Sequence, residues 1–190
     1  MRREYSKKQL AAISKDLRKK NFEKLYIMDL DGLERNKPQL DIVLSLCDDF
    51  SIYYEAGPRK GANIIDLIIA GAEVAYMNTA SLSALHELEI ALSFTEGVGL
   101  KIDWNDGIIG DGEGIIDSSI EKIMTQAYDF GIREFVIPVE TFNIAFNALR
   151  DKDCKIRAIA DRYGDEKKYD TRFSSLIVNY ELLLKEVENA

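Results

Sequence analysis

The chain has 190 residues, which is enough for one domain with a sizeable hydrophobic core. Hydrophobic residues make up 46% of it and charged residues 31%, the composition of an ordinary soluble globular protein. Because 33 acidic residues outnumber 25 basic ones and give a net charge of −8, the sequence argues against a protein that coats a nucleic acid duplex, which needs a basic face.

The cysteines and the apolar segments indicate a cytoplasmic protein without a membrane attachment. Cys47 and Cys154 stand far apart and fit no paired metal or redox spacing, so we expect reduced thiols. The first twenty residues are charged throughout and lack the apolar stretch of a signal peptide. The most apolar run, IIDLIIAGAEVAYM, is interrupted by Asp66 and Glu73, which argues against a membrane span. We predict no metal site and no cofactor.

Helices and strands alternate along the predicted chain. A first helix over 6–22 has apolar residues on one face and lysines on the other. The next predicted elements are strands over 24–32, 51–57, 73–80, 98–104, 134–140 and 154–160, separated by helices over 38–50, 62–72, 81–94, 118–131 and 142–153. Ser81 is the expected N-cap of its helix, and a final helix ends the chain. The alternation predicts an α/β fold of parallel βα repeats, as a barrel or an open sheet of about six strands.

Acids, glycines and an arginine follow the predicted strands. In either architecture the carboxyl ends of the strands form one rim, and α/β proteins place their sites there. The stretch KLYIMDLDG shows the pattern most clearly, because a nearly unbroken apolar strand ends in Asp29, Asp31 and Gly32. We interpret both aspartates as members of a site, with loop capping as the alternative.

Four motifs occur in the order and spacing of a known family. YIMDLDG resembles a second strand that ends in D-L-D-G, YYEAGPRK a third strand and loop, LIIAGAEVAYMNTASL a fourth strand, and VGLKIDWNDGIIG a fifth strand with a catalytic aspartate. Together they resemble the histidine-biosynthesis isomerase/cyclase family of (βα)8 barrels, in particular an archaeal branch related to the ribotide isomerase. The resemblance implies a single TIM-barrel-like domain over 1–190, with an N-terminal helix over 1–23, βα repeats over 24–164 and a C-terminal helix over 170–188.

The sequence departs from that family at both ends. The chain opens with a helix, whereas the family opens with a strand that carries its other catalytic aspartate. The sixth strand reads IPVETF where the family has T-D-I-x-x-D-G, and the glycine-rich ends of the last two strands are not recognisable after Asp153. The resemblance therefore implies an incomplete barrel that lacks its first strand and also its last. Because open strand edges promote association, we expect a homo-oligomer.

The resemblance also nominates catalytic residues. Asp103 matches the acid at the end of the family's fifth strand, and a cap on the following turn is the alternative role. An isomerase of this type needs one acid and one base that face the substrate. Asp31 or Asp29, on the same rim, is our candidate for the second carboxylate.

A phosphate-binding group is predicted on the same rim. The candidate substrate- and phosphate-binding residues are Asp29, Gly57, Arg59, Asn78, Thr79 and Trp104. Glycine amides, a threonine hydroxyl and a guanidinium suit a phosphate, and a helix that begins near Ser81 would point its amides at the same place. As alternatives, Arg59 is a solvated loop charge and Trp104 packs in the core instead of stacking on a ligand.

A glycine-rich loop over 105–116 follows Asp103. It fails the EF-hand pattern, because the sixth position from Asp103 is Ile108 and the twelfth is Gly114. We interpret the loop as a mobile flap over the site. His86, the only histidine, lies inside a predicted helix and is interpreted as a packing or surface residue.

Two functions remain open. In the first, the protein is an isomerase or lyase-like enzyme that acts on a small phosphorylated sugar or ribotide, with Asp103 as the acid/base. In the second, it is a non-catalytic relative that binds a phosphorylated metabolite or a protein partner and oligomerises. The motif KIDWNDG favours the first, and the missing first strand favours the second.

Overall fold

Seven parallel strands form one sheet in which each strand pairs with the next in the chain. The computed structural model describes residues 5–160, 174–178 and 180. The strands are β1 Lys24–Met28, β2 Ser51–Glu55, β3 Ala72–Asn78, β4 Val98–Lys101, β5 Glu134–Pro138, β6 Lys155–Ala160 and β7 Ser175–Val178. The helices are α1 Lys7–Lys19, α2 Leu30–Arg35, α3 Leu40–Leu46, α4 Ile64–Ile69, α5 Glu87–Leu92, α6 Ile120–Phe130 and α7 Phe142–Ala148. The predicted α/β class and the sequential strand order are confirmed.

The outer face of the sheet forms the main core with the helices. Ile52, Leu100 and Phe135 point outward from three strands and are completely buried. Helix α6 shows how the sequence specifies its packing, since it buries residues 120, 123, 124 and 127, which share one face at helical spacing. It begins at the N-cap Ser119, whose hydroxyl accepts a hydrogen bond from the amide of Lys122.

The inner face of the sheet is filled by aromatic and β-branched side chains. The buried members are Tyr53, Val74, Tyr76 and Val136, and Tyr26, Ile159 and Ile177 pack against them. Gly99 makes room for this layer, because a Cβ there would lie 2.3 Å from a ring carbon of Tyr76. The sheet curls into a nearly closed barrel whose interior is packed with side chains.

The strand count differs from the expected six. Residues 175–178, which we predicted to lie in a helix over 170–188, form strand β7 and pair with β6 from Arg157 to Ala160. The prediction is wrong there because the three-residue apolar run over 176–178 fits either element, and only pairing with β6 decides between them. Apart from Ser174 and Tyr180, the rest of the predicted helix lies outside the described residues. Within those residues β1 and β7 are sheet edges, so the barrel is one strand short of eight.

The helix predicted over 81–94 is also shorter than expected. It begins at Glu87, and Ser81 is not its N-cap. Tertiary hydrogen bonds hold the preceding segment, because the amide of Ser83 donates to the carbonyl of Arg59 and the amide of Leu85 to the carbonyl of Glu113. These contacts override the local helical pattern. In the described part of the chain, no helix is both long and apolar enough to cross a membrane.

Candidate functional site

A lysine lies between two carboxylates at the carboxyl ends of the strands. Lys101 ends β4 and pairs in register with Val136 of the barrel interior. Its ammonium donates to Glu55 Oε1 at 2.7 Å and to Asp103 Oδ1 at 2.6 Å. Glu55 is completely buried, whereas the side chains of Lys101 and Asp103 are 10% and 14% exposed. We call Glu55, Lys101 and Asp103 the lysine cluster.

The second oxygen of each carboxylate in the lysine cluster has its own donors. The hydroxyl of Tyr26, on β1, donates to Glu55 Oε2 at 2.7 Å. Asp103 Oδ2 accepts from the side-chain amide of Asn78 at 3.0 Å and from the backbone amide of Ala80 at 3.1 Å. The hydrogen bonds thus join residues from strands β1 to β4. Because every carboxylate oxygen is bonded, the cluster is held in one arrangement.

The electrostatics keep the lysine charged. Burial alone lowers the pKa of Lys101, but the negative charges of Glu55 and Asp103 outweigh it, and the pKa is raised. Burial raises the pKa of Glu55 by more than the charge of Lys101 lowers it. The Lys101 ammonium and the Tyr26 hydroxyl each donate to its carboxylate at 2.7 Å, and these contacts favour the ionised form. Burial, followed by the charge of Glu55, raises the pKa of Tyr26 well above its ordinary value. At neutral pH Lys101 is therefore an ammonium, and Tyr26 next to the lysine cluster is neutral.

The exposed end of the lysine cluster suits proton transfer. Asp103 Oδ1 accepts only the hydrogen bond from Lys101 among the described residues, which leaves a lone pair for a substrate proton. The adjacent ammonium stabilises negative charge that develops on a substrate oxygen. Glu55 has no exposed surface and acts only through Lys101.

Asp29 has a structural role that matches the capping alternative. Its side chain caps α2 by accepting from the amide of Gly32 at 3.1 Å. It also accepts from the amide of Gln39 at 2.6 Å and from the hydroxyl of Tyr54 at 2.5 Å. Tyr54 belongs to the outer core between sheet and helices, so Asp29 faces away from the barrel interior.

Asp31 forms an ion pair on α2. It occupies the first turn of α2, where its carboxylate pairs with Arg35 at 2.8 Å. Both side chains of this pair are well exposed. Among residues 5–160 no hydrogen bond or ion pair joins Asp31 to Asp103, and a role of Asp31 as the second acid/base stays a prediction.

The loop after β2 presents Arg59. Gly57 turns the chain with φ of +66°, and a Cβ there would lie 3.0 Å from Leu33 Cα. The amide and hydroxyl of Ser83 hold the Arg59 carbonyl at 3.1 and 2.9 Å. Arg59 Nη1 is buried without a hydrogen-bond partner among the described residues. A buried guanidinium nitrogen of this kind calls for an acceptor.

Asn78 and Thr79 support Asp103. Besides the bond from Asn78, the backbone amide of Asp103 donates to the hydroxyl oxygen of Thr79 at 2.9 Å. Ser81, predicted to cap a helix, instead donates to Asn78 Oδ1 at 2.6 Å. We predicted that a helix beginning near Ser81 would point its amides at the phosphate. Because α5 begins at Glu87, that helix start does not exist at this position.

The glycine-rich loop is fastened to the segment before α5. The amide of Glu113 donates to the carbonyl of Ser83 at 3.0 Å. A Cβ at Gly110 would lie 2.3 Å from the carbonyl oxygen of Thr79, and one at Gly112 as close to that of Leu82. These glycines therefore permit close backbone approach, and the mobility that we predicted for the loop stays a prediction. Trp104 is half-buried and packs against the main core.

Sequence reasoning missed Glu55, Lys101 and Tyr26 as site residues. A signal was present in VGLKIDW, where Lys101 and Asp103 interrupt an apolar strand two positions apart and so share a face. Glu55 ends the apolar run SIYY in the same way. Nothing in the sequence indicated that the two strands place these groups in contact.

A separate cleft of about 540 Å³ opens at the amino ends of β2 and β3. The carboxylates that line it belong to Glu23, Asp48, Asp49 and Glu73. Because these charges repel anions, the cleft does not suit a phosphorylated ligand. Among the described residues, no group of three or more His, Cys, Asp or Glu side chains is arranged to hold a metal ion.

Comparisons with known proteins identify the fold. No protein-family model and no curated protein matches the chain. The solved structures include a similar one, the crystal structure of KGPDC from Streptococcus mutans, with a TM-score of 0.63 and 10% sequence identity over 90% of this chain and 82% of that chain. The likeness confirms the predicted TIM-barrel-like fold. It does not separate one family of such barrels from another, so the resemblance to the histidine-biosynthesis family stays a prediction.

Proposed function

We propose that the protein is an isomerase that transfers a proton within a small phosphorylated sugar or ribotide, with Asp103 as the acid/base. The contact of Lys101 Nζ with Asp103 Oδ1 at 2.6 Å carries the proposal. It lies at the carboxyl ends of the strands, where barrels of this fold place their chemistry. A base beside a fixed cation is what an aldose–ketose proton shift requires.

The proposed step uses only these two side chains. Asp103 takes the proton from the carbon next to the substrate carbonyl, and the electron pair of that C–H bond forms an enediolate. The negative charge on the enediolate oxygen faces the Lys101 ammonium. Asp103 then returns the proton to the former carbonyl carbon, while the hydroxyl proton of the enediolate passes from the neighbouring oxygen to the former carbonyl oxygen. The neighbouring carbon becomes the new carbonyl, which completes the isomerisation without a change in oxidation state.

Arg59 is the proposed phosphate ligand. Its Nη1 atom is the buried nitrogen without a partner, and the loop that carries it follows β2, the strand that also carries Glu55. A phosphate oxygen would supply the missing acceptor with a charge-assisted hydrogen bond. This favours a phosphorylated substrate over a neutral sugar.

Thermal unfolding with a panel of sugar phosphates tests the binding part. A ligand at 100-fold its dissociation constant stabilises a protein by about 2.7 kcal/mol. We expect Arg59→Ala to abolish this stabilisation and Lys60→Ala, which removes an exposed neighbouring cation, to retain it. The phosphate assignment fails if no sugar phosphate stabilises the protein, or if both variants lose the effect equally.

Binding without catalysis is the second candidate function. It is favoured by the seven-stranded sheet, whose edges β1 and β7 are unpaired within the described residues. In this case the protein binds a phosphorylated metabolite or a protein partner and forms a homo-oligomer through those edges. Proton NMR in D2O separates the candidates, because only an isomerase exchanges a carbon-bound proton of the ligand for deuterium.

A further inference from the structure

We infer that Glu55, with Tyr26 behind it, is a positioning residue that keeps Lys101 in place and protonated while Asp103 exchanges a proton with the substrate. This inference rests on the proposed role of Asp103. It assigns a function to the completely buried Glu55 and to the Tyr26 hydroxyl that bonds to it.

The geometry fixes Glu55 at both oxygens. Oε1 accepts from Lys101 at 2.7 Å, and Oε2 accepts from the Tyr26 hydroxyl at 2.7 Å. The Tyr26 ring packs on Tyr76, with ring centroids 5.6 Å apart. Glu55 is therefore anchored by donors from β1 and β4, and the donor on β1 is itself packed against β3.

The charges explain why the site needs a second carboxylate. At rest, the ammonium of Lys101 is balanced by Glu55 and Asp103. When Asp103 takes a proton from the substrate, it becomes neutral, and Glu55 is the remaining anion of the cluster on the ammonium. Without Glu55, the lysine would face the enediolate alone and would more readily lose its proton to it. Glu55 thus prevents a proton transfer that would quench the fixed cation.

The other titratable groups nearby do not replace Glu55. Tyr26 and Tyr76 are neutral, because burial raises the pKa of each. Arg157 and Glu134 pair with each other deeper in the barrel, and Arg157 also donates to the Tyr76 hydroxyl at 3.3 Å. Glu55 is therefore the second anion in contact with Lys101 among the described residues.

The pKa of Lys101 tests the inference directly. It is measured from the ¹³Cε chemical shift of lysine-labelled protein during a pH titration, and Lys101→Met identifies the signal. We expect Glu55→Gln to lower this pKa by about 1–3 units, because one of two neighbouring anions is lost. The matched control is Glu73→Gln, which removes a carboxylate that also accepts from a tyrosine, Tyr53, at 3.2 Å and should leave the pKa unchanged.

A second variant keeps the test valid if Glu55→Gln does not fold. Glu55→Asp retains the charge but shortens the side chain, so we expect a fall in kcat with little change in KM. A Lys101 pKa that is the same in Glu55→Gln and wild type, or a Glu55→Asp enzyme with unchanged kcat, overturns the inference. If Lys101 responds as expected but wild type turns over no sugar phosphate, the proposed function fails while control of the lysine by Glu55 stands.

Discussion

Lys101 and Glu55 are 46 positions apart in the sequence, and Lys101 Nζ lies 2.7 Å from Glu55 Oε1 inside the barrel. Strand β3 separates the strands that carry them, so their backbones are about two strand spacings, or roughly 10 Å, apart. Two long side chains are needed to close that distance. The contact therefore depends on glutamate and lysine specifically, and on the curvature that turns both toward the interior.

Loss of the lysine should be costly for stability. We expect Lys101→Met to lower the free energy of unfolding by about 3–5 kcal/mol, because it leaves the buried Glu55 and the partly buried Asp103 without their shared cation. Adding Glu55→Gln should recover part of the loss, a non-additive effect typical of residues in contact. Urea unfolding measures both. Lys20→Met is the control, since it breaks only a surface ion pair with Asp16, and equal effects at positions 20 and 101 would contradict the burial of the cluster.

The barrel interior should not tolerate a side chain at position 99. Gly99→Ala places a methyl group against the Tyr76 ring, and overpacking of this kind costs about 1–3 kcal/mol. Gly107→Ala is the matched control, because nothing lies within 4 Å of a Cβ at Gly107. Thermal unfolding compares the two. If both variants unfold at the wild-type temperature, Tyr76 does not occupy the interior as described.

The two aspartates of DLDG should differ in their effect on stability. Asp29→Ala removes the α2 cap and leaves the hydroxyl of Tyr54 without its acceptor. We therefore expect the free energy of unfolding to fall by about 2–4 kcal/mol. Asp31→Ala breaks one exposed ion pair with Arg35 and should cost about 0.5 kcal/mol or less. Urea unfolding of both variants measures the difference. Similar losses would show that Asp29 is not the buried anchor of this segment.

Stability should fall with rising pH in the alkaline range. The pKa of Lys101 and those of Tyr26 and Tyr54 are raised in the folded protein, so these groups keep protons there that the unfolded chain releases. Their contribution is complete below the unfolded values of about 10 and is lost as the pH rises toward the folded ones. Each group adds a slope of about 1.4 kcal/mol per pH unit. Tyr54→Phe should make the decline measured by urea unfolding shallower, and an unchanged slope would contradict the shift at Tyr54.

The strand order and the position of Asp103 could be predicted from the sequence, but the contacts of Lys101 could not. Periodicity alone placed Asp103 at the end of a parallel strand, and the alternation of elements predicted the sheet order. The contacts of Lys101 could not be predicted from the sequence. Lys101 and Glu55 lie on strands that β3 separates, and they come into contact only in the curled barrel. Asp29 and Asp31 were both predicted to belong to the site. Asp29 is instead a buried N-cap of α2, and Asp31 forms an exposed ion pair one turn into that helix.

Element errors arose where tertiary contacts outweigh local pattern. The segment over 81–86 has helical spacing, but backbone bonds to Arg59 and Glu113 hold it as a loop. Residues 175–178 read as the start of a long helix, yet they pair with β6. In both cases the partner lies elsewhere in the sequence, so the residues of the segment itself do not indicate the pairing.

Comparison of Asp103→Asn with wild type tests the central claim most directly. Once thermal unfolding has identified a sugar phosphate, its Kd is measured by calorimetry and its deuterium exchange in D2O by NMR, with Asp49→Asn, which breaks a surface pair with Arg18, as the control. We expect Asp103→Asn to bind with a Kd near that of wild type and to lose exchange by about 10²–10⁴-fold, because it removes the base and keeps the shape. Exchange at the wild-type rate in Asp103→Asn would contradict the assignment of Asp103 as the acid/base.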